Sequence, residues 1–549
     1  MTVLTIKSLS NRVCMKPVVM LLIGALVTLS AGFGCSSSSS SVAATTVSTS
    51  KGLVTGIQES GSFAFKGIPY AAPPVGEARW KPPQPESPWS GVLNTTSFEP
   101  PCIQPEVATA EDASATPVRA IGNEDCLYLN VWTPANATGI SALPVMFFIH
   151  GGANLFGSTS ESIDFILNTT GGQAWYDGSR LAANGDVVVV TLNYRLGALG
   201  FLAHSGMLAE SETGSVGNYG ILDQIAALQW VQRNIAEFGG DPARVMIFGQ
   251  SAGAYDVCTL MASPLASGLF SRAMMESGSC AIQTAEMANV NAQAVVDEVG
   301  CNNAPDLMQC LRAVPAENFA LAQSVQPKSI GSFSMFPSVD GYVVSDNPIN
   351  IILSGAHNHV PYVVGANSEE YSTRIKGISA GDYPTIISDF VGIQNRDLVL
   401  GLYPLSNYAT PSEAVADVYA DRNIVCPAGW YSGAVSTAQT APVYRYFFQR
   451  TLSTDKRLAD GAYHSSELLY VFQHMNGISF DANEDDRIVE STILGYWTRF
   501  AANGDPNGGG DTFWPPFNNL NEAYQNIDVT TYSDTHLKKA KCNMWASLM

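Results

Sequence analysis

The chain is short of positive charge: 28 Lys and Arg stand against 48 Asp and Glu, a net charge of −20 at pH 7. Nucleic-acid phosphates repel such a chain, and no stripe of basic residues is present to reverse the repulsion. Metal-ligand spacing is also missing. No two cysteines form a C-x-x-C pair and none lies beside a histidine at ligand distance, so neither a metal nor another cofactor is expected. Past residue 29 no segment reads as transmembrane. Internal repeats are absent, and from about residue 51 no linker divides the chain. What is plentiful is core material, with 46% of the 549 residues hydrophobic and 10% aromatic. That suffices for one large core and excludes disorder for most of the chain.

The N-terminus differs from the rest. Lys7, Arg12 and Lys16 precede an uncharged apolar run at residues 18–29. A basic flank before a run shorter than the roughly 20 residues of a membrane span reads as an export signal, placed at 1–34, rather than a retained anchor. Gly34-Cys35 then leads into Ser36 to Ser41 and a Thr/Ser/Ala stretch ending at Ser50. This start resembles a bacterial lipoprotein, in which an acylated Cys35 would attach the chain to a membrane surface. Gly32 stands where such signals carry Leu or a similar residue, and ordinary cleavage, for example after Ala44, is the other reading. In either case residues 35–50 read as a flexible tether, leaving 51–549 as the folded domain of an exported protein, secreted, periplasmic or lipid-anchored.

Cys14 and Cys35 belong to the signal region. Cys102, Cys126, Cys258, Cys280, Cys301, Cys310, Cys426 and Cys542 remain, an even number that predicts disulfides in an exported chain. The short loop between Cys301 and Cys310 is the one pairing that spacing suggests.

The middle third alternates strand-like and helix-like segments, which predicts an α/β class: a large, mostly parallel sheet with helices on both faces. Residues 145–149 and 186–192 are continuous apolar runs suited to strands buried on both sides. Ile221, Ile225, Leu228, Val231 and Ile235 recur at helical spacing, and Gly239-Gly240-Asp241-Pro242 ends that helix. Residues 244–248, 360–364 and 443–448 are further strands. The regions 285–337 and 376–418 read as helical or loop insertions that wall a pocket.

Gly249-Gln250-Ser251-Ala252-Gly253 is a G-x-S-x-G between a strand and a helix. Such a turn holds the serine in strain and exposes its hydroxyl, with glycines relieving the crowding. The motif is short and weak alone; its flanking elements give it weight. Serine needs a base, and the base an orienting acid, in the chain order serine, acid, histidine. The histidines after Ser251 are His357, His359, His464, His474 and His536. His464 is favoured, on a loop after strand 443–448; His357 and His359 read as a solvated loop before a metal pair. Glu369 and Glu370, just past strand 360–364, are the acid candidates with Asp340 as a third, and spacing does not choose among them. His150-Gly151-Gly152-Ala153 follows strand 145–149. Its small residues let backbone N–H groups converge, with that of Ala252, on a developing oxyanion, an effect often worth about 10²–10³ in rate per donor.

At this point the chain resembles the type-B carboxylesterase and cholinesterase family of the α/β-hydrolase fold, over nearly everything beyond the tether. Phe65-Lys66-Gly67-Ile68-Pro69-Tyr70-Ala71 with Arg79-Trp80 looks like the family's opening. Glu124-Asp125-Cys126-Leu127-Tyr128-Leu129-Asn130-Val131 is similar to its long second signature, and Tyr496-Trp497 with Gly504-Asp505-Pro506 to its C-terminal helix and turn. The resemblance implies a serine esterase acting on small-molecule esters through Ser251, Glu370 and His464. It implies oxyanion donors at Gly152, Ala153 and Ala252, and disulfides Cys102–Cys126, Cys301–Cys310 and Cys426–Cys542, leaving Cys258 and Cys280 for a fourth. Gln250 departs from the family's glutamate, and Ala153 from its third glycine. No tryptophan lies between Cys102 and Cys126, where cholinesterases place the aromatic face for a quaternary ammonium, so choline esters are not the expected substrate. Competing readings are hydrolysis of amides, carbamates or lactones on the same triad, and a non-catalytic cholinesterase-like binding protein.

Overall fold

A computed structural model describes residues 44–106, 119–137, 140–163, 173–322, 335–452, 460–475 and 481–548. The signal, Cys35 and the serine run lie outside them. Among the described residues thirteen strands form one sheet. Its centre is parallel and runs Val188–Leu192, Leu143–Ile149, Gly240–Gln250, Arg272–Glu276, Tyr362–Asn367, Val443–Phe448 and Ala523–Ile527. One register row crosses it from Phe148 through Phe248, Met274 and Val363 to Tyr444.

Side chains in that row and those one residue earlier take opposite faces, because a strand alternates with period two. Phe148, Phe248, Met274, Val363 and Tyr444 pack on one face beneath helix Glu484–Asn503. Phe147, Ile247, Ala273, Tyr362 and Val443 pack on the other, beneath helices Tyr219–Asn234 and Ala252–Ala262. Both faces are covered, which is why these strands read as unbroken apolar runs. Each fully buried Val, Ile or Phe is worth about 1.5–3 kcal/mol in transfer terms.

The expected mostly parallel sheet is present, and antiparallel strands extend its flanks. Ala44–Ser48, Leu53–Glu59, Ser62–Pro69 and Tyr128–Pro134 join antiparallel on one side and Tyr532–Thr535 on the other. The expected tether 35–50 is corrected, since its last part is a strand paired from Ala44 opposite Ile57 to Ser48 opposite Leu53. Thr45, Thr46 and Val47 are β-branched and suit an edge strand, and Val47 packs against the core. Composition alone hides such a strand because its order comes from the partner.

The expected insertion 285–337 holds helices Ala285–Glu298, Leu307–Ala313 and Ala316–Ala322. The second holds Tyr383–Val391, Arg396–Leu402 and Pro411–Ala420, which pack with the C-terminal helix Lys539–Ser547 around Tyr403 and Trp545. Cys102–Cys126, Cys258–Cys280, Cys301–Cys310 and Cys426–Cys542 are bonded. The last spans 116 residues and holds the C-terminal helix to the start of helix Cys426–Ala438, just past the second insertion. No helix among the described residues is long and apolar enough to cross a membrane.

Candidate active site

Four strand ends deliver the predicted residues to one edge of the sheet, the carboxyl end, where the loops are free to converge. Strand Gly240–Gln250 runs straight into Ser251, whose φ of 56° and ψ of −123° lie in a region that non-glycine residues avoid. The turn is held by Ser251 N–H donating to the Glu276 carbonyl at 2.9 Å. A Cβ at Gly253 would meet the Ile149 carbonyl at 2.0 Å, and one at Gly249 the Gly253 carbonyl at 2.5 Å. The glycines are thus a packing necessity at a crowded strand crossing. Cys258–Cys280 ties the following helix to the loop past Arg272–Glu276.

Ser251, Glu370 and His464 line one pocket of about 420 Å³ with Ala153 and Ala252. His464 Nδ1 lies 2.6 Å from Oε2 of the buried Glu370, whose Oε1 accepts the Asn367 N–H at 2.8 Å. Asn367 also donates to the Tyr463 carbonyl at 2.8 Å and to Glu467, so the strand end that carries the acid grips the histidine's loop. Glu369 instead accepts the Ala462 N–H at 2.8 Å, and Asp340 accepts three N–H groups of its own turn. On the serine side the relay is open. His464 Nε2 faces the side-chain nitrogen of Gln250 at 3.3 Å and makes no hydrogen bond with Ser251. Such bonds commonly close only around substrate. The other histidines bond elsewhere: His357 to Gln439, His359 to the Gly355 carbonyl and His474 to the Trp175 carbonyl. His536 lies on the turn before the C-terminal helix, away from the pocket lining.

The glycine loop turns through left-handed backbone at Gly152, Ala153 and Asn154, with φ of 101°, 57° and 56°. A Cβ at Gly152 would meet the Phe156 carbonyl at 1.9 Å, so only glycine fits there. Gly152 adjoins the pocket, whereas Ala153 and Ala252 line it. The N–H groups of all three donate to no protein acceptor among the described residues.

Two successive non-glycine residues in this region need support, and a buried network that sequence reasoning missed supplies it. Asn154 Nδ2 donates to Asp256 Oδ1 at 3.0 Å, and Gln224 donates to Asp256 Oδ2 at 2.6 Å. Tyr194 donates to Asn154 Oδ1 at 2.9 Å and lies 2.8 Å from the His150 carbonyl. The glycine loop is thereby fastened to the helix that begins after Ser251. Burial pushes the Asp256 carboxyl up to about 7 against the lowering effect of its two amide donors. A lone aspartate in the apolar run Ala252–Ala262 was the available sequence signal. If the glycine-loop N–H groups serve as the expected oxyanion donors, Asn154→Ala should lower kcat on esters about 10-fold to 100-fold with KM nearly unchanged, as steady-state kinetics would read. An equal rise in KM would count against this.

Close to Glu370 lie two further buried carboxyls. Glu276 is held by Trp497 Nε1 at 2.6 Å, and burial pushes it up to about 8. Glu467 is raised well above the usual carboxylate range by burial first, then by Glu276 and Glu370. His150, stacked on Tyr194, is pushed down to about 4 by burial and stays neutral. Because Glu276 binds its proton more tightly folded than at its ordinary 4.5, its contribution is full below that value, falls as pH rises, and is lost above about 8. Thermal melts should show wild type losing stability relative to Glu276→Gln between about pH 5 and 8; parallel curves would refute the assignment.

A strained serine at a strand-to-helix turn, on the carboxyl edge of a sheet with a parallel centre, marks the α/β-hydrolases. The chain is an ester-hydrolysing enzyme of that fold. It belongs to the carboxylesterase family, whose sequence pattern it matches over residues 43–390 and 393–545. Similar proteins include the duck (Anas platyrhynchos) fatty acyl-CoA hydrolase precursor, medium chain, 34% identical over 88% of this chain and 87% of that one. The fumonisin B1 esterase of Sphingopyxis macrogoltabida is 35% identical over 86% and 85%. A solved PNB esterase superposes with a TM-score of 0.76 at 33% identity, covering 91% of this chain and 99% of that one.

Proposed function

We propose that the chain hydrolyses small-molecule carboxylic esters through Ser251, His464 and Glu370, by way of an acyl-enzyme. The observation that carries this reading is the 2.6 Å contact of Glu370 with His464 Nδ1, in the same pocket as the strained Ser251. Glu370 fixes the tautomer that leaves Nε2 able to accept a proton. As the ester carbonyl binds, the Ser251 hydroxyl turns to Nε2, gives up its proton and attacks. The N–H groups of Gly152, Ala153 and Ala252 receive the negative oxygen. The imidazolium, stabilised by Glu370, then protonates the departing alcohol. Water activated by His464 releases the acid and regenerates Ser251. Beyond the ester itself, the steps use protein groups and water.

Relatives named for acyl-CoA and fumonisin ester hydrolysis support small-molecule esters as substrates. The test is pre-steady-state release of p-nitrophenol from p-nitrophenyl butyrate. A burst stoichiometric with enzyme is expected, with far slower turnover of the matched anilide; a linear trace from time zero together with equal turnover of the anilide would contradict the reading. We also assign residues 1–34 to export, with acylation at Cys35 and ordinary cleavage, for example after Ala44, as the two readings of the mature start. Four disulfides support an oxidising destination. Mass spectrometry of the native N-terminus separates them: a lipid-modified Cys35 in the first case, an unmodified start further along in the second.

A further inference from the structure

The pocket wall holds a charge that the triad does not use. Tyr255, Phe336, Tyr371 and Ile424 make one side of it apolar and aromatic, and Tyr255 meets Phe336 edge-on at 4.9 Å. Into this wall comes Arg374, four residues past Glu370 and the one lining residue with a fixed positive charge among those described. Its guanidinium makes no hydrogen bond or ion pair with the described residues, while Lys376, two residues on, is paired with Asp460 at 2.9 Å. Arg374 is solvent-exposed and sits close enough to Tyr371 to pull that phenol down against the larger upward push of burial.

A chain with a net charge of −20 disfavours anions at long range. A guanidinium lining the same pocket as Ser251, with no ion pair among the described residues, acts at short range, where it offers a planar fork of donors that suits a carboxylate. An arginine kept without a carboxylate partner, although acids outnumber bases, is available for one brought by a ligand. The apolar neighbours suit the carbon chain that carries it. We propose that Arg374 makes this pocket favour esters bearing a carboxylate within a few bonds of the scissile carbonyl. The proposal rests on the Ser251 reading above and adds the substrate class to it.

The test compares matched substrates on the full chain. On the alcohol side, para-butyryloxybenzoate is set against para-butyryloxybenzamide; on the acyl side, the p-nitrophenyl monoester of adipic acid against p-nitrophenyl hexanoate. Wild type, Arg374→Ala and Arg374→Lys are assayed. Arg374→Ala should lower kcat/KM roughly 10-fold for the carboxylate member of at least one pair, the size of a charge-assisted bond, and change the neutral member less than about 2-fold. Arg374→Lys should retain part of the preference, and about 0.5 M NaCl should shrink it in wild type. Equal losses on both members would make Arg374 a shaping residue only and overturn the proposal, as would no change in either pair. Should wild type hydrolyse none of the four esters, the Ser251 reading itself has failed; hydrolysis of the neutral esters without the Arg374 effect sinks the substrate class alone.

Discussion

Ser251→Ala should lower kcat on p-nitrophenyl butyrate by on the order of 10⁴-fold or more, with melting temperature and disulfides unchanged. The size follows from what the position holds. In the proposed mechanism the alcohol oxygen is the one atom that forms the acyl bond, and its proton transfer to His464 is coupled to that attack, so partial function has no route. Fold should be spared, because the side chain makes no hydrogen bond with His464 and the turn is held by the backbone bond from Ser251 N–H to the Glu276 carbonyl. His464→Ala should fall to the same floor, and the double variant no further, since the groups act as a unit. Retention of a tenth of the activity in Ser251→Ala would show that the hydrolysis belongs to another group.

Glu370→Gln should cost about 10³–10⁴-fold in kcat, although it changes only an oxygen to a nitrogen. Glu370 accepts at both oxygens, from Asn367 N–H at 2.8 Å and from His464 Nδ1 at 2.6 Å. A carboxamide accepts at one. If its oxygen keeps the Asn367 bond, its NH₂ faces Nδ1 and drives the ring proton to Nε2, the atom that receives the serine's proton in the proposed mechanism. If the amide turns over, a donor opposes the Asn367 N–H in a buried site, which costs stability as well. Steady-state kinetics read the first effect as lost kcat at little-changed KM, and a thermal melt reads the second. Near-wild-type kcat would show that His464 needs no orienting acid.

The sheet centre was legible in the sequence because burial on both faces writes itself as apolar runs, and strand Val443–Phe448 fell where expected. The antiparallel flank was not, since Ala44–Ser48 takes its order from pairing with Leu53–Glu59 and carries no apolar alternation of its own. At the site, spacing located the loops but left Glu369, Glu370 and Asp340 open. They separate by where adjacent side chains point, with Glu369 on the Ala462 N–H and Glu370 on His464. The Asn154–Asp256 bond joins residues 102 apart and is a property of the packing. Arg374 likewise gains meaning only from sharing a pocket with Ser251 and from making no ion pair among the described residues.

Labelling with a fluorophosphonate, followed by peptide mass spectrometry, tests the account most directly. The predicted result is one adduct per chain, on Ser251, formed rapidly by wild type and much more slowly by His464→Ala. An unmodified Ser251 in folded protein, or an adduct on a different residue, would contradict it.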